Sequence, residues 1–331
     1  MGLLLALNTA SSSQKRPEAK NSRPLVLTGS IPLPQVQGRI DHMSFDPKGR
    51  LFLSALGNNT VEVLDLSAGM RSHQISAVIR PQGVLYCGDQ NKLFVGSDEG
   101  KLYVYDASSF KLIDSIDFGD DVDNLRFEAV KKQVYVGYGD KETGAIAVVD
   151  ADTNRRVKEF KLGAHPESFQ LESAGPNMYV NLPDRNEIAV VNRETSAVVR
   201  WKMKYESNFP MALDEQDHRL FVATRSPARL MIYDTSSGRS IAEFPCVQNS
   251  DDLFFDAARK RIYVVGGEGY IDTFQQDSSK QYHPLARTTS QLGARTAGYF
   301  GKGKKGFDLF YVAVPARASA QAEVLIYTLQ D

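Results

Sequence analysis

Lys92-Leu-Phe-Val-Gly-Ser97, a short turn, and then a strand ending Val104-Tyr-Asp106 make up the stretch that decides the fold, because the chain repeats it. An apolar strand centred on an aromatic reappears as Leu51-Phe-Leu, Leu93-Phe-Val, Val134-Tyr-Val, Met178-Tyr-Val, Leu220-Phe-Val, Ile262-Tyr-Val and Leu309-Phe-Tyr. The strand after each ends at Asp65, Asp106, Asp150, Asn192, Asp234, Gln275 and Thr328. These ends recur every 41 to 44 residues, and the last step is stretched to 53 by Gly301–Gly306 and Ala316–Ala322. Short runs of alternating apolar and polar residues are strand periodicity, not helix periodicity. Turns such as Asp65-Leu-Ser-Ala-Gly69, Asp150-Ala-Asp-Thr-Asn154 and Asp234-Thr-Ser-Ser-Gly238 place an Asp where its carboxylate can bond amides two residues on. Four strands per unit at this period is the signature of a propeller blade.

Seven repeats predict an all-β, seven-bladed β-propeller over residues 23–331, one domain rather than two. A propeller with unpaired end sheets would keep bare strand edges. The last repeat reaches Asp331 straight after its third strand, while Leu25-Val-Leu-Thr28 resembles the fourth strands elsewhere. Residues near 24–33 are therefore expected to supply the outer strand of blade seven and lock the ring.

The rest of the composition mostly excludes. The chain has 331 residues, with 42% hydrophobic and 24% charged, an ordinary globular balance. Lys+Arg 39 against Asp+Glu 40 leaves a formal charge of −1, which gives nucleic acid or an anionic membrane no global field to follow. No apolar run approaches the roughly 18 residues of a spanning helix. Residues 1–22 carry a short apolar stretch, Leu3 to Leu7, before small and polar residues. They read either as a signal-like leader without a basic start or as a disordered tail. Cys87 and Cys246 fall on distant repeats, too far apart for a disulfide.

Candidate chemistry sits where the innermost strands enter the central channel. Stacking the repeats aligns Asp41, Gln82, Asp123, Glu167, Phe209, Asp251 and Arg295 just before the inner strand. The next position gives His42, Gly83, Asn124, Ser168, Pro210, Asp252 and Thr296, and His165 lies two before Glu167. One channel mouth should thus gather five carboxylates, two imidazoles and one guanidinium. Converging carboxylates raise one another's pKa and are relieved by a cation or an arginine. Asp123, Glu167 and Asp251 are the candidate metal ligands. Asp41, His42, Gln82, Asn124, His165, Phe209, Asp252 and Arg295 are candidates for holding a small polar ligand. An oxygen-rich set suits Ca²⁺ or Mg²⁺, whereas His42 and His165 shift it towards Zn²⁺ or Mn²⁺. The same side chains would also serve simply to cap strands and hold channel water.

Other signals fail on context. Gly301-Lys-Gly-Lys-Lys-Gly306 satisfies G-x-G-x-x-G but joins two strands, with no helix N-terminus to receive a pyrophosphate. Its Lys302, Lys304 and Lys305 are one basic turn on a neutral protein, so nucleic acid is not the expected partner. His73, His218 and His283 read as surface histidines, and Trp201 as blade packing.

Lys92-Leu-Phe-Val-Gly-Ser97 and Gln133-Val-Tyr-Val-Gly-Tyr138, each followed by a strand ending in Asp106 or Asp150, resemble the YVTN-repeat, YncE-like bacterial propeller family. The resemblance spans residues 24–331 and implies a seven-bladed ring. Gly38-Arg-Ile-Asp-His-Met43 and His165-Pro-Glu-Ser-Phe169 are similar to a subgroup that is usually exported, which implies a periplasmic or secreted protein rather than a cytoplasmic one. The gluconolactonase propellers hold a divalent metal on a Glu, Asn and Asp set; Glu167, Asn124 and Asp251 are counterparts here, in flanking sequence that does not match. The expectation is a monomeric, non-catalytic binding or scaffold propeller with a cation or small polar ligand at its mouth. A metal-dependent lactonase or esterase, and a scaffold that recruits a protein partner through its rim loops, are the alternatives.

Overall fold

The computed structural model describes residues 23–300, 308–318 and 320–331. The leader at 1–22 and the glycine–lysine segment at 301–306 lie outside these, apart from which the repeats can be followed strand by strand. Among the described residues, twenty-eight strands form seven four-stranded antiparallel sheets, one per repeat. Blade three shows the plan: inner strand Val122–Glu128, then Gln133–Tyr138, Ala145–Asp150 and outer strand Arg155–Lys161, each paired with the next.

The turns are pinned as their residues dictate. The Asp106 carboxylate accepts the amides of Ser108 at 3.1 Å and Ser109 at 2.7 Å, and Asp234 accepts that of Ser237 at 2.9 Å. At Asn192 the side-chain amide oxygen does the same for Glu194 and Thr195, so Asn is a chemical equivalent of Asp there.

The core lies between blades, not within them. Seven hydrophobic clusters each join two neighbouring blades, and together they run round the ring. Each sheet is buried on both faces by its neighbours, which explains why the two middle strands read as near-continuous apolar runs. Trp201 fills the seam between blades four and five, stacked on Tyr233 at 6.2 Å and tilted against Tyr179 at 5.7 Å. In blades one, two and five a cation at the start of the second strand ties the blade to the next one's turn. Arg50 donates to the Ala107 carbonyl at 2.6 Å, Lys92 to that of Ala151 at 2.7 Å, and Arg219 to that of Ser279 at 2.6 Å.

Closure follows the expected route. Leu25–Leu33 pairs antiparallel with Ala322–Leu329, from Leu25 opposite Leu329 to Leu33 opposite Ala322, and completes blade seven as its outer strand. Leu25 enters the cluster between blades six and seven, while Ile31 and Leu33 enter the one between blades seven and one. One strand thus closes two seams. Cys87 and Cys246 are separate, buried thiols on blades two and five, and burial pushes both up to about 12.

Candidate binding site at the channel mouth

At the mouth, the regular pairing of the inner strands breaks. Register shifts fall between Pro81 and Val84, Val122 and Leu125, Asn208 and Met211, and Ser250 and Asp252. In blade one the Asp41 amide and the His42 carbonyl both bond Ser54, and in blade four Glu167 and Ser168 treat Asn181 the same way. Two residues facing one is a bulge, and bulges re-aim side chains. Here they turn the ring residues into the channel. At Gly83 the chain must be glycine, since a Cβ would sit 1.9 Å from the Asp123 carbonyl oxygen.

Asp123 is the centre of the mouth. Its Oδ1 meets His42 Nε2 at 3.0 Å, and Asp41 lies 3.8 Å from the same nitrogen. Burial disfavours the imidazolium, but the Asp123 hydrogen bond and the Asp41 charge outweigh it and lift His42 to about 10. Burial also acts on Asp123, yet the His42 bond and charge hold its carboxyl below the usual range. His42 is therefore the counter-ion of Asp123, and a charged imidazolium has no lone pair for a metal.

The second oxygen of Asp123 faces another group. His165 Nε2 stands 4.0 Å from Asp123 Oδ2 and 4.0 Å from Glu167 Oε1. Donor atoms of Asp123, His165 and Glu167 all lie within 4.8 Å of one another. The other ring nitrogen, Nδ1, is 2.5 Å from the Gly139 carbonyl oxygen and carries the hydrogen, which leaves Nε2 facing the two carboxylates. Burial is outweighed by the Glu167 charge, the Gly139 bond and the Asp123 charge, which raise the imidazole's pKa, so a metal would displace a proton from Nε2. Fixing a ligand histidine by its far nitrogen is the usual outer support of a metal site. Gaps of 4.0 Å are too long for hydrogen bonds, so the three groups face one another without bonding directly. Burial and the Asp123 charge push Glu167 up to about 8, and burial raises Asp121 and Asp252 to about 7 each.

The remaining ring residues are already engaged. Asp251 is held by Arg225, and by Arg295 at 2.9 Å, so both its oxygens have guanidinium partners. Asp252 accepts the Ala297 amide at 2.7 Å. Gln82 donates to Asp121, and Arg39 pairs with Asp41 at 2.9 Å. Phe209 lies under the Arg225 guanidinium, 3.5 Å from its ring centre. Asn124 is buried in the blade-three bulge, and no hydrogen bond among the described residues ties its side chain to the triad. The trio with open donors is Asp123, His165 and Glu167, with the imidazole standing where Asp251 was expected.

Arginines are what the repeat alignment missed. Arg39 and Arg225 join Arg295 at the mouth, which becomes a mixed-charge ring instead of an acidic one. Arg225 could have been found by stacking the second strands, where the equivalent positions of other blades carry Leu56, Asp98, Gly139, Pro183 and Gly267. Two residues deeper along the inner strands lies a second ring: Ser44, Leu85, Arg126, Gln170, Ala212, Phe254 and Gly298, all lining one channel cavity of about 810 Å³. The same stacking, moved on by one strand period, would have shown it.

Fold and mouth together define a seven-bladed propeller with a mixed-charge channel. The chain is similar, over 100% of its length and 99% of the other's, to a chain of the mitotic checkpoint complex (TM-score 0.76, 14% identity). It is similar to the WD40 repeats of RRP9 (TM-score 0.75, 13% identity, 93% of this chain and 98% of that one). A chain of Kuenenia stuttgartiensis hydrazine synthase is a further likeness, at TM-score 0.73 and 15% identity, covering 87% of this chain and 99% of that one. At such identities the likeness is one of fold. No family model matches the chain, and no curated protein does.

Proposed function

We propose that the protein is a non-catalytic, exported binding propeller of the YncE-like kind whose mouth takes a divalent cation on Asp123, His165 and Glu167. The observation that carries this reading is His165, tethered through Nδ1 to Gly139 with Nε2 aimed between two carboxylates 4.0 Å away. One imidazole and two carboxylates favour Zn²⁺ or Mn²⁺ over the all-oxygen ions Ca²⁺ and Mg²⁺. Glu167 keeps a proton at neutral pH in the free protein, so the cation displaces it on binding. Both mouth imidazoles are held by carboxylates or main chain, which supports binding over nucleophilic chemistry.

Thermal melts of the protein in chelator and then in each ion test this. Zn²⁺ or Mn²⁺ at about 100 times its dissociation constant adds about 2.7 kcal/mol, or about 4 °C for a chain of this length. Glu167→Gln should abolish the shift, and in chelator at neutral pH it should melt no lower than the wild type. No shift with any ion, or a shift that Glu167→Gln leaves intact, would overturn the site. A lactone or ester turned over only with the metal would move the reading to the enzyme alternative.

A further inference from the structure

Below the mouth the channel changes character. Its cavity of about 810 Å³ is walled by Leu85, Met211, Phe254, Tyr299 and Phe45 among others, within the size range of small-molecule sites. Blade seven contributes only Gly298 to the deeper ring, where a Cβ would lie 2.4 Å from the Phe45 ring. Phe45 therefore lies over that strand, edge-on to Phe300 at 4.0 Å between ring centres, and the wall opposite blade three is flat and aromatic.

From blade three itself comes one cation, Arg126. Its planar face rests on Phe169, 5.3 Å from the ring centre. Of its five N–H donors, one goes to the Leu125 carbonyl at 2.8 Å and one to Ser168 Oγ at 3.4 Å. No carboxylate among the described residues lies within ion-pair distance. The three mouth arginines differ: Arg39 has Asp41, and Arg225 and Arg295 share Asp251. The carboxylates that line the cavity are bonded elsewhere, Asp46 to Arg50 and Asp252 to the Ala297 amide. Burial pulls the Arg126 pKa down, the mark of a cation without enough counter-charge. Ser44 Oγ, which accepts the Tyr86 amide at 2.9 Å, keeps its hydrogen to donate into the same space.

We infer that the channel is a second binding site, independent of the cation site, for an organic monocarboxylate with an aromatic or similarly flat apolar body. The carboxylate pairs with the Arg126 fork, and the body lies against Phe254, Tyr299 and Leu85. A single guanidinium fork matches the two oxygens of one carboxylate, and one cation neutralises a monoanion but not a phosphate dianion.

Calorimetric titration with naphthalene-2-carboxylate and its neutral analogue naphthalene-2-carboxamide separates the charge from the apolar body. The wild-type protein should bind the acid at least about tenfold more tightly than the amide. Arg126→Gln should bind both alike, and Glu167→Gln should keep the full preference even if the cation site fails. Arg126→Lys, which keeps the charge and loses the fork, should weaken the acid several-fold without touching the amide. Equal binding of acid and amide by the wild type would overturn the assignment, as would no binding of either. So would an acid preference that survives unchanged in Arg126→Gln or, should that variant not fold, in Arg126→Lys.

Discussion

At His42 the cost of burying an imidazolium is offset by Asp123 at 3.0 Å and Asp41 at 3.8 Å, which keep it charged to about 10. The sign of the linkage follows from that rise. An ordinary His in the unfolded chain titrates near 6.5, so His42 adds stability fully below that pH, and loses it as pH climbs through its folded value. Its Cε1 proton resonance should stay at the imidazolium position from pH 6 to 9 in a proton NMR titration. A midpoint near 6.5 would refute the pairing. Replacing His42 with Gln removes a charged hydrogen bond and should cost about 2 kcal/mol in a urea titration. The repeat alignment placed His42 and His165 at the same mouth, but their separate roles were not legible. Which of them faces a carboxylate within bonding distance depends on bulges and on the Gly139 carbonyl, set by contacts between blades three and four.

Among the elements, the strand Leu25–Leu33 is the one that closes the ring. Leu25, Ile31 and Leu33 are each 2% exposed or less, and they divide between two seams. Burying three such side chains is worth about 6 kcal/mol, before the lost ladder with Ala322–Leu329 is counted. Deleting residues 23–33 should therefore remove the cooperative thermal transition. Ile31→Ala should cost about 3 kcal/mol in chemical denaturation, whereas Leu27→Ala, at 54% exposed on the same strand, should cost almost nothing. Equal effects would mean the strand merely lies on the surface. This element was legible because a strand pattern near residue 25 and a missing fourth strand near residue 331 solve each other. The mouth bulges were not, since nothing in residues such as Asp123-Asn124 distinguishes a bulged pair from a regular one.

Across the whole molecule the mouth makes stability depend on pH in one direction. Asp121 and Asp252, at about 7, and Glu167, at about 8, hold protons in the folded state that the unfolded chain gives up near pH 4. The folded state binds more protons than the unfolded one between those limits, so stability falls as pH rises from about 5 through 8. His42 works in the same sense. Urea midpoints should be higher at pH 5.5 than at pH 8.5 for the chelated protein, and Mn²⁺ should recover most of the difference at pH 8.5. A flat profile would show that the carboxyls are ionised throughout, so that a cation would meet no proton to displace.

The sequence by itself determined the ring: seven aromatic-centred strands at near-constant spacing, Asp-led turns, and a first strand that supplies the last blade. Those are local and periodic properties, repeated seven times, so no long-range contact had to be known to read them. It also determined which residue positions gather at the channel mouth, because equivalent positions in a closed repeat must meet. The tertiary structure alone decided which of those groups are already paired. Arg225 and Arg295 enclose Asp251, His42 neutralises half of Asp123, and His165, Glu167 and the remaining oxygen of Asp123 are left facing one another. Pairing of charges turns on distances of one or two ångströms between blades far apart in the chain. Repeat spacing carries no information at that scale.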